Sequence, residues 1–223
     1  DNVVFGGVGS DTVATGSGWG DFLQPLVDAK ATVINRARSG ESTLSFYVAT
    51  GDNLWSGAEN GVLPHLAPGD YVLIQFGHND SRLESAVHTD PDTTYRANLH
   101  AMVLEARAIG AEAVFVTPPP NFIAAEDGLH VRRPNGLEGY VSAMRAQASD
   151  DGVAVVELHP TLMDEYDQLG IQLARALYSY EVSPGVPDLS HFSRKGAIHA
   201  AETIVSQLAS ASPSLAAYLL TAP

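Results

Sequence analysis

Tyr71–Asp80 reads YVLIQFGHND, and this stretch decides the fold. Val72, Leu73 and Ile74 are consecutive apolar residues rather than alternating ones, the pattern of a strand covered on both faces. The run stops at Gly77, and three polar residues follow: His78, Asn79 and Asp80. A buried parallel strand that opens into a polar turn places that turn at the carboxyl edge of a sheet, where α/β proteins bind ligands.

Four other short runs have the same character: Val3–Val8, Ala31–Ile34, Ala113–Thr117 and Val153–Glu157. Longer segments with helical periodicity lie between them. In YRANLHAMVLEARAIG, Leu99, Met102, Val103 and Ala106 recur at helical spacing, and Gly110 is placed to end the helix. GLEGYVSAMRAQASDDG and SRKGAIHAAETIVSQLAS read as two more helices, and SPSLAAYLLTAP as a short closing one. Strands alternating with helices predict an α/β fold: a doubly wound parallel sheet with helices on both sides, as one domain over residues 1–223. Thr117–Gly136, polar and rich in proline, reads as a loop after the fourth strand.

Composition narrows the function classes. At 45% apolar and 17% charged, the 223-residue chain can bury a sizeable core. Its formal charge of -14 repels phosphate backbones, so no nucleic-acid partner is expected. No apolar run reaches the length of a membrane span, and no membrane association is expected. The absence of cysteine excludes disulfides, thiol catalysis and cysteine-based metal sites. No histidine pair has convincing ligand spacing, so no catalytic metal is expected; no cofactor is expected either. The chain opens on Asp1 rather than Met, and the expectation is a secreted or extracytoplasmic protein whose signal peptide lies out of view. No oligomeric state follows from these residues.

Four polar segments should converge on the carboxyl rim of the sheet: GSDT after the first strand, NRARSGEST after the second, GHND after the third, and PDLSHFSRKG before the late helix. In the last, Asp188 stands three residues before His191. That spacing lets the carboxylate hold one ring nitrogen while the other faces the cleft as a base. The competing reading makes Asp188 or Ser190 a helix cap and His191 incidental. Asn79 can donate its amide to a developing oxyanion, or satisfy local turn backbone together with Asp80. Gly40 offers a backbone N–H to the same oxyanion, or simply makes a turn.

These segments, in this order, carry a resemblance. TVATGSGWGDFL, INRARSGEST, YVLIQFGHND and DLSHFSRKGA together resemble the SGNH (GDSL-like) hydrolases, and within them the rhamnogalacturonan acetylesterases and related carbohydrate esterases. The resemblance spans nearly the whole chain and is weakest from about Pro118 to Pro187. It implies a flavodoxin-like three-layer α/β/α sandwich with a five-stranded parallel sheet. The implied activity is polysaccharide O-acetyl ester hydrolysis on a substrate such as a pectic glycan. It also implies oxyanion donors at Gly40 and Asn79, and a base at His191 supported by Asp188.

The first block departs from that pattern. Where the family has Gly-Asp-Ser-Thr, this chain has Gly9-Ser10-Asp11-Thr12, which puts Asp11 in the register of the nucleophile. Ser10 serves if the elbow shifts by one residue, although such a shift turns a side chain to the opposite face. Asp11 can instead be a nucleophile or base in glycoside cleavage, with His191 or Glu41 as partner acid. A third reading is a carbohydrate-binding domain without catalysis, and a fourth is a deliberately altered block. The unbroken match downstream favours Asp11, not Ser10, in the nucleophile register. A carboxylate about 4 Å from the oxyanion would cost on the order of a few kcal/mol. An oxyanion donor contributes roughly 3–4 kcal/mol, so ordinary ester turnover is then expected to be weak. Trp55 is expected to stack on a sugar ring, with Glu41 and His78 as further substrate contacts. Trp19 reads as packing, and Arg132 and Arg133 as solvated charge or partners for a uronate carboxylate.

Overall fold

The structure is a computed structural model that describes residues 2–7, 18–48, 54–131, 135–178, 181–183 and 186–220, with backbone alone at 2–7, 181–183 and 186–187. Ser10, Asp11, Arg132 and Arg133 therefore lie outside the described residues.

The sheet is built from β1 (Asn2–Gly7), β2 (Thr32–Asn35), β3 (Tyr71–Gln75), β4 (Glu112–Val116) and β5 (Ala154–Val156). Their order is β2-β1-β3-β4-β5 and every neighbouring pair is parallel. The α/β class with a parallel sheet is thus the one the sequence indicates. Side chains alternate across the sheet because the strand repeat is two residues. Tyr71 and Leu73 of β3 and Val114 and Val116 of β4 enter one core, while Val72, Ile74, Ala113 and Phe115 enter the other.

Helices cover both faces. On one side lie α1 (Thr43–Val48), α2 (Arg96–Ile109) and α3 (Glu138–Asp151), which bury Phe46, Leu99, Met102 and Met144. On the other lie α4 (Leu158–Leu169), α5 (Ile171–Arg175), α6 (Arg194–Ala211) and α7 (Pro213–Ala216), which bury Leu162, Ala174, Ala197, Ile204 and Leu215. A small antiparallel pair, β6 (Glu181–Ser183) with β7 (Val186–Pro187), precedes α6.

Local chemistry explains the boundaries. The Asp90 carboxylate accepts from the N–H groups of Asp92 and Thr93, opening a wide turn at Pro91–Tyr95 that leads into α2. Gly110 ends α2 at φ +90°, a conformation that costs a side-chain residue energy. The sequence reading passed over α4 and α5. Pro160 and Gly170 mask them, yet Pro160 sits in the first turn of α4, where its missing N–H has no intrahelical partner to lose, and Gly170 separates the two helices. The described residues between 117 and 131 are largely irregular, as their composition indicates, apart from a bridge between Ala124 and Val131. Among the described residues no helix is long and apolar enough to cross a membrane.

The connections from β1 to β2 and on to β3 leave in opposite directions along the sheet, which makes a switch point between β1 and β3. Gly7 pairs with Gln75 there, so β1 and β3 end side by side at the same edge of the sheet. The fourth segment reaches it because α6 packs tightly beneath. A Cβ on Gly196 would lie 1.8 Å from the Leu177 carbonyl oxygen. Gly196→Ala is expected to lower the unfolding free energy by about 3 kcal/mol, read from urea midpoints, because backbone rather than a movable side chain must give way.

Candidate active site

The crevice is lined by residues from four segments: Gly18 and Trp19; Ser39 and Gly40; Gln75, His78, Asn79, Ser81 and Arg82; and Ser190, His191 and Phe192. Pro119 and Asn121 close it from the loop after β4. Its volume is about 310 Å³, at the small end for ligand clefts. Gly40, Asn79, His78 and His191 are thus brought together.

Asp188 is 2% exposed, and its carboxylate faces His191 Nδ1 at 3.0 and 3.2 Å. A carboxylate only accepts, so Nδ1 carries the hydrogen and Nε2 of the neutral ring keeps its lone pair. The same carboxylate accepts from the N–H groups of Ser190 at 3.0 Å and His191 at 2.9 Å. Helix capping falls to Ser193, whose hydroxyl accepts from the Gly196 N–H at 3.2 Å. The geometry therefore separates the cap from the carboxylate that orients the imidazole.

The second and third segments are fastened to each other. Asn79 Nδ2 donates to the Glu41 carbonyl at 3.0 Å, which leaves its second amide hydrogen for another acceptor. Gly40 stands at φ +86°, where a side chain would be strained. Asp80, read from sequence as a local turn residue, instead reaches across the fold. Its carboxylate accepts from the Thr43 N–H at 3.0 Å, the Thr43 hydroxyl at 2.6 Å and the Thr89 hydroxyl at 2.7 Å. Burial pushes the carboxyl pKa up, against the pull of those donors. The signal available in the sequence was an acid directly after a fully buried strand, with no helix start there to cap.

The expected substrate contacts separate. His78 lines the cleft, but Trp55 does not: it is 1% exposed and its indole N–H donates to Glu105 at 2.7 Å. The insertion folds back onto the α2 core, so Trp55 offers no ring face to a sugar, and the expected stacking role is corrected. Glu41 meets the site through its backbone carbonyl and is absent from the described cleft lining. Trp19 packs as expected and also donates its indole N–H to Gln75 Oε1 at 2.9 Å. Sequence reasoning missed Asn121, whose Oδ1 accepts from the Ser190 hydroxyl at 3.0 Å, and Arg82. Among the described residues no cluster of three or more His, Asp or Glu could hold a metal ion.

With that geometry in view, comparison with known proteins is decisive. Residues 4–197 match the GDSL-like Lipase/Acylhydrolase family. The chain belongs to that family. Members of this hydrolase family similar to it include a probable rhamnogalacturonan acetylesterase, YesY, of Bacillus subtilis, 30% identical over 84% of this chain and 81% of the relative. Rhamnogalacturonan acetylesterase RhgT of the same organism is 31% identical over 84% and 78%. In fold, the chain resembles the Bacillus subtilis YxiM structure at a TM-score of 0.74 and 22% identity, spanning 93% of this chain and 55% of that one. It also resembles the acetyl xylan esterase AlAXEase at 0.66 and 17%, spanning 93% and 100%.

Two predictions follow from the geometry of this GDSL-like site. Asp188→Ala leaves three N–H donors, two of the backbone and His191 Nδ1, without their acceptor and should cost about 1–3 kcal/mol of stability in urea unfolding. Asp188→Asn should restore most of that loss, while the His191 Nδ1 proton signal in NMR moves in both variants. The second concerns His78, whose pKa is lowered to about 4, chiefly by burial and then by the charges of His191, His159 and Arg82. Unfolded His78 binds protons near its ordinary pKa of 6.5 and the folded form does not. Stability is therefore full above about pH 6.5 and falls as pH drops toward 4. Between pH 7 and 4.5 the loss from this group should be roughly 2–3 kcal/mol, and it should be missing from the pH profile of His78→Gln.

Proposed function

We propose that this chain is a carbohydrate O-acetylesterase, secreted or extracytoplasmic, acting on a polysaccharide such as a pectic glycan. The observation that carries the reading is one small cleft holding an Asp188-oriented His191 together with Gly40 and Asn79. The relatives named for rhamnogalacturonan acetyl ester hydrolysis support the substrate class.

In this reading a hydroxyl of the first block attacks the acetyl carbonyl while His191 Nε2 takes its proton. The carbonyl oxygen becomes an oxyanion, met by the Gly40 N–H and the free Asn79 amide hydrogen. Collapse breaks the bond to the sugar oxygen, which leaves with the proton from His191. Water then attacks the acetyl-enzyme by the same route, releasing acetate and restoring the hydroxyl. Asp188 acts on His191 alone, holding its tautomer and stabilising the imidazolium that forms.

The order Gly9-Ser10-Asp11-Thr12 favours a second reading for the chain as it stands. If Asp11 occupies the nucleophile register, its carboxylate opposes the oxyanion, and the cleft binds glycan with little ester turnover, or cleaves glycosides through Asp11. Acetate release from an acetylated pectic glycan separates these readings. Asp11→Ser is expected to raise release by on the order of a hundredfold or more, the worth of restored oxyanion stabilisation. Release that is fast in the parent, lost in Ser10→Ala and not raised in Asp11→Ser would place the nucleophile at Ser10 instead. Reducing-end release from a deacetylated glycan, lost in Asp11→Asn, would mark glycoside cleavage.

A further inference from the structure

We propose that Arg82 forms an anionic subsite at the cleft, taking the carboxylate of a uronate residue in the bound glycan. This rests on the carbohydrate reading above and adds a residue and a charge requirement to it. Five other arginines are engaged away from the cleft. Arg96 pairs with Asp150 and Arg145 with Glu157, while Arg107 donates to the carbonyls of Asp151 and Gly152. Arg175 and Arg194 lie over the rings of Phe122 and Phe22. Arg82 lines the cleft, is exposed, and makes no ion pair or side-chain hydrogen bond among the described residues.

Its backbone is tied to the turn that carries Asn79. The Arg82 N–H donates to the Asn79 carbonyl at 3.2 Å, one turn from the amide assigned to the oxyanion. Its charge also reaches His78, whose ring it helps keep unprotonated. No carboxylate appears among the described lining residues, so Arg82 is the one permanent cation there. A guanidinium matches a carboxylate in a planar, two-pronged hydrogen bond, a geometry that a neutral sugar cannot supply. The net charge of -14 opposes acidic glycans at long range, but that field is screened beyond about 8 Å at physiological salt. The contact at Arg82 is not. A guanidinium with no partner among the described residues, beside the ester-binding cleft, thus favours a sugar acid on the ring that carries the ester or on the next one.

The test measures binding without turnover. An unacetylated oligogalacturonate is titrated calorimetrically into the parent chain, Arg82→Gln and Arg82→Lys, with the fully methyl-esterified oligosaccharide as the neutral control. The expected result is tighter binding of the acid than of its methyl ester. Arg82→Gln should weaken the acid by about tenfold or more, as loss of a charge-assisted hydrogen bond does. Arg82→Lys should keep part of the preference, and the methyl ester should be insensitive to both changes. Absence of oligogalacturonate binding, equal affinity for acid and ester, or an unchanged acid affinity in Arg82→Gln would each overturn the subsite. Failure of acetate release in every variant, including Asp11→Ser, would instead sink the esterase reading and leave a uronate-binding result standing.

Discussion

The Asp80 carboxylate is the contact on which the candidate site depends. It lies at the end of a strand buried on both faces, where water cannot solvate it, and it takes its donors from Thr43 and Thr89. Thr43 opens α1, and the loop just before it carries Gly40 and Glu41. Asn79, one residue before Asp80, donates to the Glu41 carbonyl. Two adjacent side chains of the third segment therefore grip the second segment at two points. The Asp80 carbonyl adds acceptors for Tyr140 Oη at 2.8 Å and for His88 Nδ1, tying α3 and the following turn to the same place. Buried polar groups joined this fully are rigid because any displacement leaves a donor without a partner in a low-dielectric interior.

That rigidity matters for the chemistry. An oxyanion donor is worth most when it is already aimed and need not reorganise during reaction. The Gly40 and Asn79 loops are positioned by contacts with each other, and the His191 loop by a separate set: Asp188 within its own turn, Ser193 at the head of α6, and the Asn121 and Leu189 links to the loop after β4. The cleft is the gap between these two assemblies. Its electrostatics follow from the same packing. His78 is held neutral by burial and by neighbouring positive charge, so the described wall presents Arg82 as a fixed cation and His191 as an oriented base.

Much of the fold was legible along the chain because parallel strands covered on both faces must be continuously apolar, and amphipathic helices must repeat at helical spacing. Tyr71–Gln75 and the helix ending at Gly110 are read directly. The helices α4 and α5 were obscured because Pro160 and Gly170 act as breakers in most settings and as end residues in these. Trp55 misled for a related reason. Its polar surroundings in GDNLWSGAENG suggest exposure, yet the segment turns back and buries the ring against the α2 side of the sheet, with Glu105 satisfying its N–H.

By itself the sequence determined the class of fold, the polar segments that follow the second and third strands and precede α6, the Asp188–His191 spacing, and the Ser10-Asp11 order in the first block. These are local properties, carried by residue type and spacing alone. Only the tertiary structure decided that Ser193 rather than Asp188 caps α6, that Asp80 serves Thr43 rather than its own turn, and that Arg82 faces the cleft without a partner among the described residues. Each of those outcomes depends on which distant donors or acceptors arrive beside a side chain, and a polar group takes the partner that burial brings to it.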